Sequence, residues 1–507
     1  MTKYTIYGLL LLLSSLTFSS CKKFLEERSP DEIKPETVAD LQSLMNGEAY
    51  PYQMISDTYV DLLTDDIQSN GLGRTFDGNP DEVYLPYLQN GTRVFKWDPR
   101  MFDGDPILTL GTDSWSIYYT KIKGCNTVID NLAKVSGSTA QKNALLGQVL
   151  FLRAYYYLKL VTLYGQPYSG VGIDPNVSLG VPLILNSVVT DQYPVRNTLK
   201  EVYGQIEKDL LEAADLLKAN FTEASTFRVG HIAAYSLLSR LYLYMGRPED
   251  MDKVIQYANL VLTERPALTQ LKSFFNAGDF YSAGGIYDVT VSPEVVWVYG
   301  INPTAPNGYF PEQRNDRPPY TVSGSLAALY ETSTAIEDRK DLRYLGYFRQ
   351  GFANNASYLL GNGKIGPIPK YGTNGIRIAE VYLNRAEAYA KKFLNGDVSS
   401  AAKANADLNT LRASRYDTRN VAYEPVNYSN ANDLFKFCQD ERRRELCLES
   451  GHRWMDIKRW GLSISHRFVD ADGTTTDYTL RSGSLIYALP IPFTATLKNS
   501  SLAQNPR

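Results

Sequence analysis

The chain has 507 residues, is 44% hydrophobic and carries a formal net charge of −3 at pH 7. This length and apolar content suffice for a large buried core, and the balance of charges lacks the basic character of a nucleic-acid-binding protein. The four cysteines are Cys21, Cys125, Cys438 and Cys447, and modification of the first would leave an odd number, which argues against a disulfide framework. We expect buried free thiols, with Cys438 and Cys447 too far apart on one helix to form a bridge.

The first twenty residues have the pattern of an export signal. Lys3 precedes an apolar run from Ile6 to Leu16, which is about half as long as a membrane-spanning helix. Two serines follow and lead directly to Cys21, the arrangement of a lipoprotein signal, in which the cysteine thiolate accepts a diacylglycerol. We expect residues 1–20 to be a cleaved signal peptide and Cys21 to carry the lipid. An ordinary secretory signal with an incidental cysteine is the alternative.

Apolar residues recur at helical spacing in consecutive segments further along the chain. The first segment follows Asp113, a suitable N-cap, and the second ends at Gly165. A later segment begins near Pro248, which suits the first turn of a helix. The other predicted helices cover residues 198–220, 228–246, 376–393, 400–415 and 432–450.

Antiparallel helix pairs with alanine and tyrosine at their contacts are typical of degenerate tetratricopeptide-like repeats. We therefore predict a fold dominated by α-helices, in which helix pairs form a right-handed superhelical scaffold. No Pro/Gly/Ser-rich linker divides residues 21–507, so we expect a single domain.

Two loop-rich insertions interrupt the helical pattern, at about residues 65–111 and 275–325. Both are dense in Gly, Pro, Asn and Asp, which predicts loops with a few short strands, one of them in "EVVWVYGI". Loops of this length in a compact body are usually functional. Their acidic stretches could bind calcium, but the EF-hand spacing is absent, and we predict no cofactor.

The stretch "ERRRELCLESGHRWMDIKRWG" contains the residues that most suggest a metal or catalytic site. On one helix, Glu445 and Glu449 would share a face, as would His452 and Asp456, so a metal or acid–base site is conceivable. The chain has only three histidines and no HExxH pattern, and the neighbouring arginines can neutralise the carboxylates. We interpret the stretch as a C-terminal helix whose charges fix it to its neighbours.

Several segments together resemble the SusD/RagB family, in the family's order and over nearly the whole chain. They are "CKKFLEERSPDE", "LRAYYYLKLVTLYGQPY" followed by "GVPLI", "RIAEVYLNRAEAYAK", the arginine-rich stretch above, and "LPIPFTATLKNSSLAQNP". The resemblance implies a nutrient-binding lipoprotein of the outer membrane that works with a SusC-like TonB-dependent barrel and is not an enzyme. The acidic "LEERSPDE" after Cys21 resembles the export tag that directs such lipoproteins to the cell exterior.

The resemblance implies a glycan as ligand, or a peptide as in RagB-like members. A glycoside hydrolase is a weaker alternative, since Asp65 with Asp66, or Asp103 with Asp105, could be proposed as a catalytic pair. A scaffold that binds peptides on the concave face of its repeats is the other class of function.

A glycan site needs flat rings together with amide or guanidinium groups. The two insertions offer Asn70, Arg74, Trp97, Tyr281, Tyr309, Phe310, Arg314 and Tyr320, and we expect the two loop systems to meet on one face. Tyr309 and Tyr320 should be exposed, because Asn, Pro and Gly surround them. Trp97 could equally be a buried loop anchor, whereas Trp115 and Trp297 have apolar neighbours and should belong to the core.

Overall fold

The structure, a computed structural model, describes residues 34–52, 54, 56–103, 113–275, 285–300, 316–332, 340–353, 356–360, 364 and 374–507. The predicted signal peptide and Cys21 lie outside the described residues. So do the candidate ligand-binding residues Tyr281, Tyr309, Phe310 and Arg314.

Helices dominate the molecule, as predicted. In the first half they are α1 (Val38–Leu44), α2 (Leu85–Phe95), α3 (Ser114–Asn131), α4 (Thr139–Tyr164), α5 (Leu199–Asn220), α6 (His231–Met245) and α7 (Asp250–Glu264). They continue with α8 (Gly324–Ala327), α9 (Arg343–Gly346), α10 (Ile378–Leu394), α11 (Ser400–Arg415), α12 (Ala431–Leu446), α13 (His452–Trp460) and α14 (Phe493–Lys498). Short 3₁₀ turns cover Thr58–Leu63, Glu82–Tyr84, Leu271–Phe274 and Leu485–Tyr487, and a π-helical turn covers Met45–Ala49.

Each long helix packs on the next one in the chain. α3 contacts α4, α4 contacts α5, and the series continues through α6 and α7 to α10, which also packs on α11 and α12. This nearest-neighbour stacking is the arrangement expected of helical repeats. None of the helices in the described ranges has both the length and the hydropathy needed to cross a membrane.

Local signals fix the helix ends. The side chain of Asp113 accepts a hydrogen bond from the amide of Ser116 at 2.9 Å, which caps α3 as predicted. α4 stops at Gly165, and α6 stops at Gly246, whose φ of 72° is favourable for glycine. α7 begins at Asp250, so Pro248 lies in the turn before the helix and not in its first turn.

The strands form four antiparallel pairs within the described ranges. β1 (Ile67–Ser69) pairs with β3 (Tyr320–Val322), and β2 (Val295–Tyr299) pairs with β6 (Asn374–Arg377). β4 (Arg349–Ala353) and β5 (Ala356–Leu360) form a hairpin, as do β7 (Ile464–Val469) and β8 (Thr475–Leu480). The strand predicted in "EVVWVYGI" is β2, and it is buried along its whole length.

The core lies along α4 and is rich in tyrosine. Tyr155, Tyr156 and Tyr157 are fully buried, and the hydroxyl of Tyr157 donates to the carbonyl of Ile184 at 2.8 Å. A ring with a polar tip can therefore fill the core while its hydroxyl stays hydrogen-bonded. Trp115 and Trp297 are buried, which confirms their predicted place in the core. Cys125, Cys438 and Cys447 are buried free thiols, also as predicted.

The arginine-rich C-terminal stretch is not one helix, which corrects the prediction. α12 ends at Leu446 and α13 begins at His452, and the connection contains positive φ angles at Leu448, Ser450 and Gly451. The bend places Glu449 against buried cations, where it accepts hydrogen bonds from Arg377 at 2.6 Å. Cys447 consequently lies just beyond α12 and not on the helix that carries Cys438.

Buried ion pairs fix this stretch to its neighbours, which is the role predicted for its charges. Glu445 contacts Arg377 at 2.8 Å and Arg415 at 3.0 Å, and all three side chains are 0% exposed. Asp456 pairs with Arg442 at 2.9 Å. The carboxylates are thus neutralised by arginine, as expected, and hold helices together.

Candidate functional site

The two loop-rich insertions meet through β1 and β3. Ser69 faces Tyr320 and Ile67 faces Val322 in this short sheet. Beyond the strand, the amide of Asn70 donates to the carbonyl of Pro319 at 2.7 Å, and its side chain donates to the hydroxyl of Thr321 at 3.0 Å. We call residues 67–84 together with 316–322 the insertion junction. Asn70, a predicted ligand contact, holds this junction together.

Two aspartates anchor the first insertion to the C-terminal helices. Arg453 forms a two-pronged pair with the carboxylate of Asp65 at 2.8 and 2.9 Å, and Arg443 binds Asp66 at 2.7 Å. Burial raises the pKa of Asp66, whereas the contacts from Arg453 and Arg443 leave the pKa of Asp65 lowered. Both carboxylates of this pair, one of the two pairs suggested for glycoside hydrolysis, are therefore bound by arginines of the C-terminal helices.

A tight hairpin at residues 74–80 presents an aromatic ring on the surface of the junction. The amide of Thr75 donates to the carbonyl of Asn79, and the amide of Gly78 donates to the carbonyl of Thr75, both at 2.9 Å. The hairpin tip carries Phe76, which is 57% exposed. Arg74 at the base is also exposed. An exposed ring beside a guanidinium group suits the face and the polar substituents of a sugar.

A second arginine lies directly opposite Arg74. Arg317 and Arg74 exchange both backbone hydrogen bonds, at 2.8 and 2.9 Å. The Nε atom of Arg317 is buried and has no hydrogen-bond partner in the part of the chain that the structure describes. Burial and the neighbouring charge of Arg74 both lower the pKa of Arg317.

Two tyrosines form the adjoining wall of the junction. The hydroxyl of Tyr84 donates to the carboxylate of Asp316 at 2.8 Å, and the hydroxyl of Tyr358 donates to the backbone carbonyl of the same residue. Gly73 lies against the Tyr84 ring so closely that a Cβ atom would be 2.3 Å from it. The lack of a side chain at Gly73 thus allows this ring to pack under the hairpin.

Tyr320 is buried, so the prediction that it is exposed was wrong. Its side chain is 0% exposed, and its hydroxyl donates to the carbonyl of Leu88 on α2 at 2.9 Å. Gly91 makes room for the ring, since a Cβ at that position would be 2.4 Å from it. Pro318 and Pro319 precede Tyr320, but strand β3 directs this ring inward.

Trp97 is a buried loop anchor, the second of its two predicted roles. It is 7% exposed, its indole N–H donates to the carbonyl of Leu63 at 3.0 Å, and its φ is 53°. The ring of His466 stacks on it and on Phe95, with a centroid distance of 4.1 Å in each case. A largely covered indole offers little area for stacking on a ligand.

A groove of about 220 Å³ lies between the end of α2 and strand β8. Lys96 lines it, with its ammonium 3.9 Å from the centroid of the Phe468 ring and 5.5 Å from that of Tyr478. Arg507 also lines it and pairs with Asp103 at 2.6 Å. The groove is therefore a second surface with rings and cations. No group of three His, Cys, Asp or Glu side chains suited to a metal occurs among the described residues.

Comparison with known proteins places the chain in a family. Residues 100–243 match a SusD-like family model described as "Starch-binding associating with outer membrane", and residues 319–507 match the model of the SusD family. The chain belongs to the SusD family. SusD-like protein P2 of Formosa agariphila is 26% identical over 561 aligned positions, which cover 100% of this chain and 99% of that protein.

Solved SusD structures have the same fold. A SusD-like carbohydrate binding protein from Bacteroides vulgatus matches with a TM-score of 0.65 and 21% identity, over 92% of this chain and 97% of that one. A SusD superfamily protein from Bacteroides thetaiotaomicron matches with a TM-score of 0.65 and 21% identity, over 93% of this chain and 100% of that one. The helical-repeat architecture is thus shared with the SusD family.

Among the described residues, those that best fit a ligand surface overlap only in part with those predicted. Arg74 was predicted from the sequence, whereas Phe76, Arg317, Lys96 and Tyr478 were not. The Asp-Gly and Asn-Pro pairs after Phe76 are turn signals that could have placed this residue at a hairpin tip. Nothing in the sequence reveals that Arg317 lies opposite Arg74, because that pairing joins two distant segments.

Proposed function

We propose that this chain is a cell-surface lipoprotein that captures glycans and delivers them to a SusC-like TonB-dependent transporter. Family membership supports the class of function, because the matching family model is described as starch-binding and associated with the outer membrane. A structural relative is named a carbohydrate binding protein. In this view the chain is a binding protein and not an enzyme, with Cys21 as its lipid anchor and residues 21–507 as one domain.

The insertion junction is the surface to which we assign glycan binding. It combines the exposed ring of Phe76 with the guanidinium groups of Arg74 and Arg317 on a frame fixed by β1 and β3. A ring can cover one face of a sugar while the guanidinium groups donate to its oxygens. Arg443 and Arg453 hold the start of this frame against the C-terminal helices through Asp66 and Asp65, which favours a surface that is preorganised for ligand.

Affinity electrophoresis through gels that contain single polysaccharides tests glycan capture. We expect at least one polymer to retard the chain, and we expect Phe76→Ala to weaken that binding about five- to tenfold, as stacking contacts contribute about 1 kcal/mol. Phe493→Ala is the matched control, since Phe493 is 48% exposed on α14. Binding of peptides with no retardation by any glycan would refute glycan capture.

Two observations in cells test the anchor and the transporter. Cys21→Ala should yield a soluble chain that still binds glycan but no longer supports glycan uptake. Purification of the wild-type chain from detergent-solubilised outer membranes should co-isolate a SusC-like barrel identified by mass spectrometry. A chain that supports uptake equally well without Cys21 would contradict the proposed tether.

A further inference from the structure

The insertion junction contains an electrostatic conflict. Arg74 and Arg317 form an antiparallel bridge in which each amide donates to the other's carbonyl, at 2.9 and 2.8 Å. In such a pair the two Cβ atoms lie on the same face, roughly 5 Å apart. Like charges directly opposite each other destabilise a sheet. The chain nevertheless places two arginines there.

No carboxylate relieves this repulsion in the part of the molecule that the structure describes. Neither arginine forms a salt bridge there, and the side chain of Arg74 donates only to the carbonyl of Gly78, at 2.8 Å. Asp316 directly precedes Arg317 in sequence, but its carboxylate accepts a hydrogen bond from the hydroxyl of Tyr84 at 2.8 Å. By comparison, the buried Arg377 pairs with Glu445 at 2.8 Å. The buried Arg196, which has no carboxylate partner among the described residues, donates to four backbone carbonyls instead.

The Nε of Arg317 is buried and has no hydrogen-bond partner among the described residues, as is also true of one guanidinium nitrogen each of Arg412 and Arg442. Unlike those two arginines, Arg317 has no carboxylate partner among the described residues. A buried donor that makes no hydrogen bond costs stability, and such atoms are uncommon in native proteins. The guanidinium group has its N–H donors in a fixed fork that matches a carboxylate or a sulfate. Two adjacent forks beside the exposed ring of Phe76 therefore fit a sugar that carries an anionic substituent.

We propose that the ligand is an acidic glycan, and that Arg74 and Arg317 together bind its anionic substituent, a carboxylate or a sulfate, while Phe76 covers the sugar ring. This inference rests on the proposed glycan capture and specifies the class of glycan. The anion removes the repulsion between the two guanidinium groups. Binding energy and stabilisation of the junction thus come from the same contact.

The test uses the mature chain, the double variant Arg74→Gln/Arg317→Gln, and a matched control, Lys123→Gln/Lys208→Gln. The control removes two exposed charges from α3 and α5, where neither lysine has a salt bridge among the described residues. Affinity gels contain polygalacturonate or alginate for carboxylates, carrageenan for sulfates, and amylose or galactan as neutral polymers. Melting temperatures of all three proteins are measured alongside.

We expect an acidic polymer to retard the wild-type and control proteins, and the double variant to bind it at least tenfold more weakly. The carboxylate and sulfate gels show which anion is recognised. Because the substitutions remove a repulsion, the melting temperature of the unliganded variant should stay equal or rise, whereas a purely structural role would lower it. Retardation of wild type by neutral polymers alone overturns this inference but leaves glycan capture intact. Retardation by none of the polymers overturns both.

Discussion

Substitution of Glu445 by glutamine tests whether buried ion pairs hold the C-terminal helices in place. Glu445 on α12 is 0% exposed and contacts the guanidinium groups of Arg377 at 2.8 Å and Arg415 at 3.0 Å. It also accepts a hydrogen bond from the hydroxyl of Tyr347 at 2.7 Å. These arginines hold the pKa of Glu445 well below its usual range despite burial. Glutamine preserves the shape but leaves the cations without this counter-charge.

The expected cost is about 3–5 kcal/mol, the range for removing one partner of a buried ion pair. The entropy of unfolding is about 2.1 cal/mol/K per residue, so for a chain of this size the total entropy of unfolding is about 1 kcal/mol/K. Glu445→Gln should therefore lower the melting temperature by about 3–5 °C in differential scanning calorimetry.

The control is Asp477→Asn, which breaks the pair between Asp477 and Arg467 on the β7–β8 hairpin. Their side chains are 63% and 70% exposed, so solvent screens the interaction and the melting temperature should change by less than about 1 °C. If Glu445→Gln also melts within about 1 °C of wild type, the buried network does not stabilise this fold.

Two further substitutions test the placement of single side chains. Tyr320→Ala should lower the melting temperature by about 3–5 °C, because it empties a buried aromatic site. Tyr320→Phe, which loses only the hydroxyl hydrogen bond, should lower it by about 1 °C. Unchanged stability with lost glycan binding would instead place this ring in contact with ligand. Burial lowers the pKa of Lys458 to about 7, so the folded state releases a proton that the unfolded chain keeps up to about pH 10. Stability should therefore rise between pH 7 and 9, by about 1.4 kcal/mol per pH unit, and Lys458→Met should abolish that part of the slope; an identical slope in the variant would contradict the assignment.

The helical scaffold was predictable because its signals are local. Asp113 caps α3 through a residue three positions away, and Gly165 and Gly246 end helices at the positions expected from their neighbours. Apolar periodicity marked the helices that stack on one another. Such features depend on contacts within one or two turns, which a sequence displays directly.

The break between α12 and α13 was not predictable from the same signals. Residues 447–451 contain one glycine, and the charged residues around them have helical spacing. The chain bends there because Glu449 and the carbonyl of Ser450 each meet a buried cation, Arg377 and Lys159 respectively. Those partners are distant in sequence, so only the tertiary fold reveals why the helix stops.

The proposed ligand surface was only partly predictable. The sequence correctly indicated that the two insertions meet, and it included Arg74. It could not show that Gly91 opens a site for Tyr320, or that β3 places Arg317 opposite Arg74. Exposure of an aromatic residue depends on what the rest of the chain places above it, and neighbouring turn residues do not determine this.

A crystal structure of the chain with the oligosaccharide that the gels identify would test the central claim most directly. We predict a sugar ring on Phe76 and an anionic substituent within hydrogen-bonding distance of Arg74 and Arg317. A ligand bound in the concave face of the helical repeats, with the insertion junction empty, would contradict it.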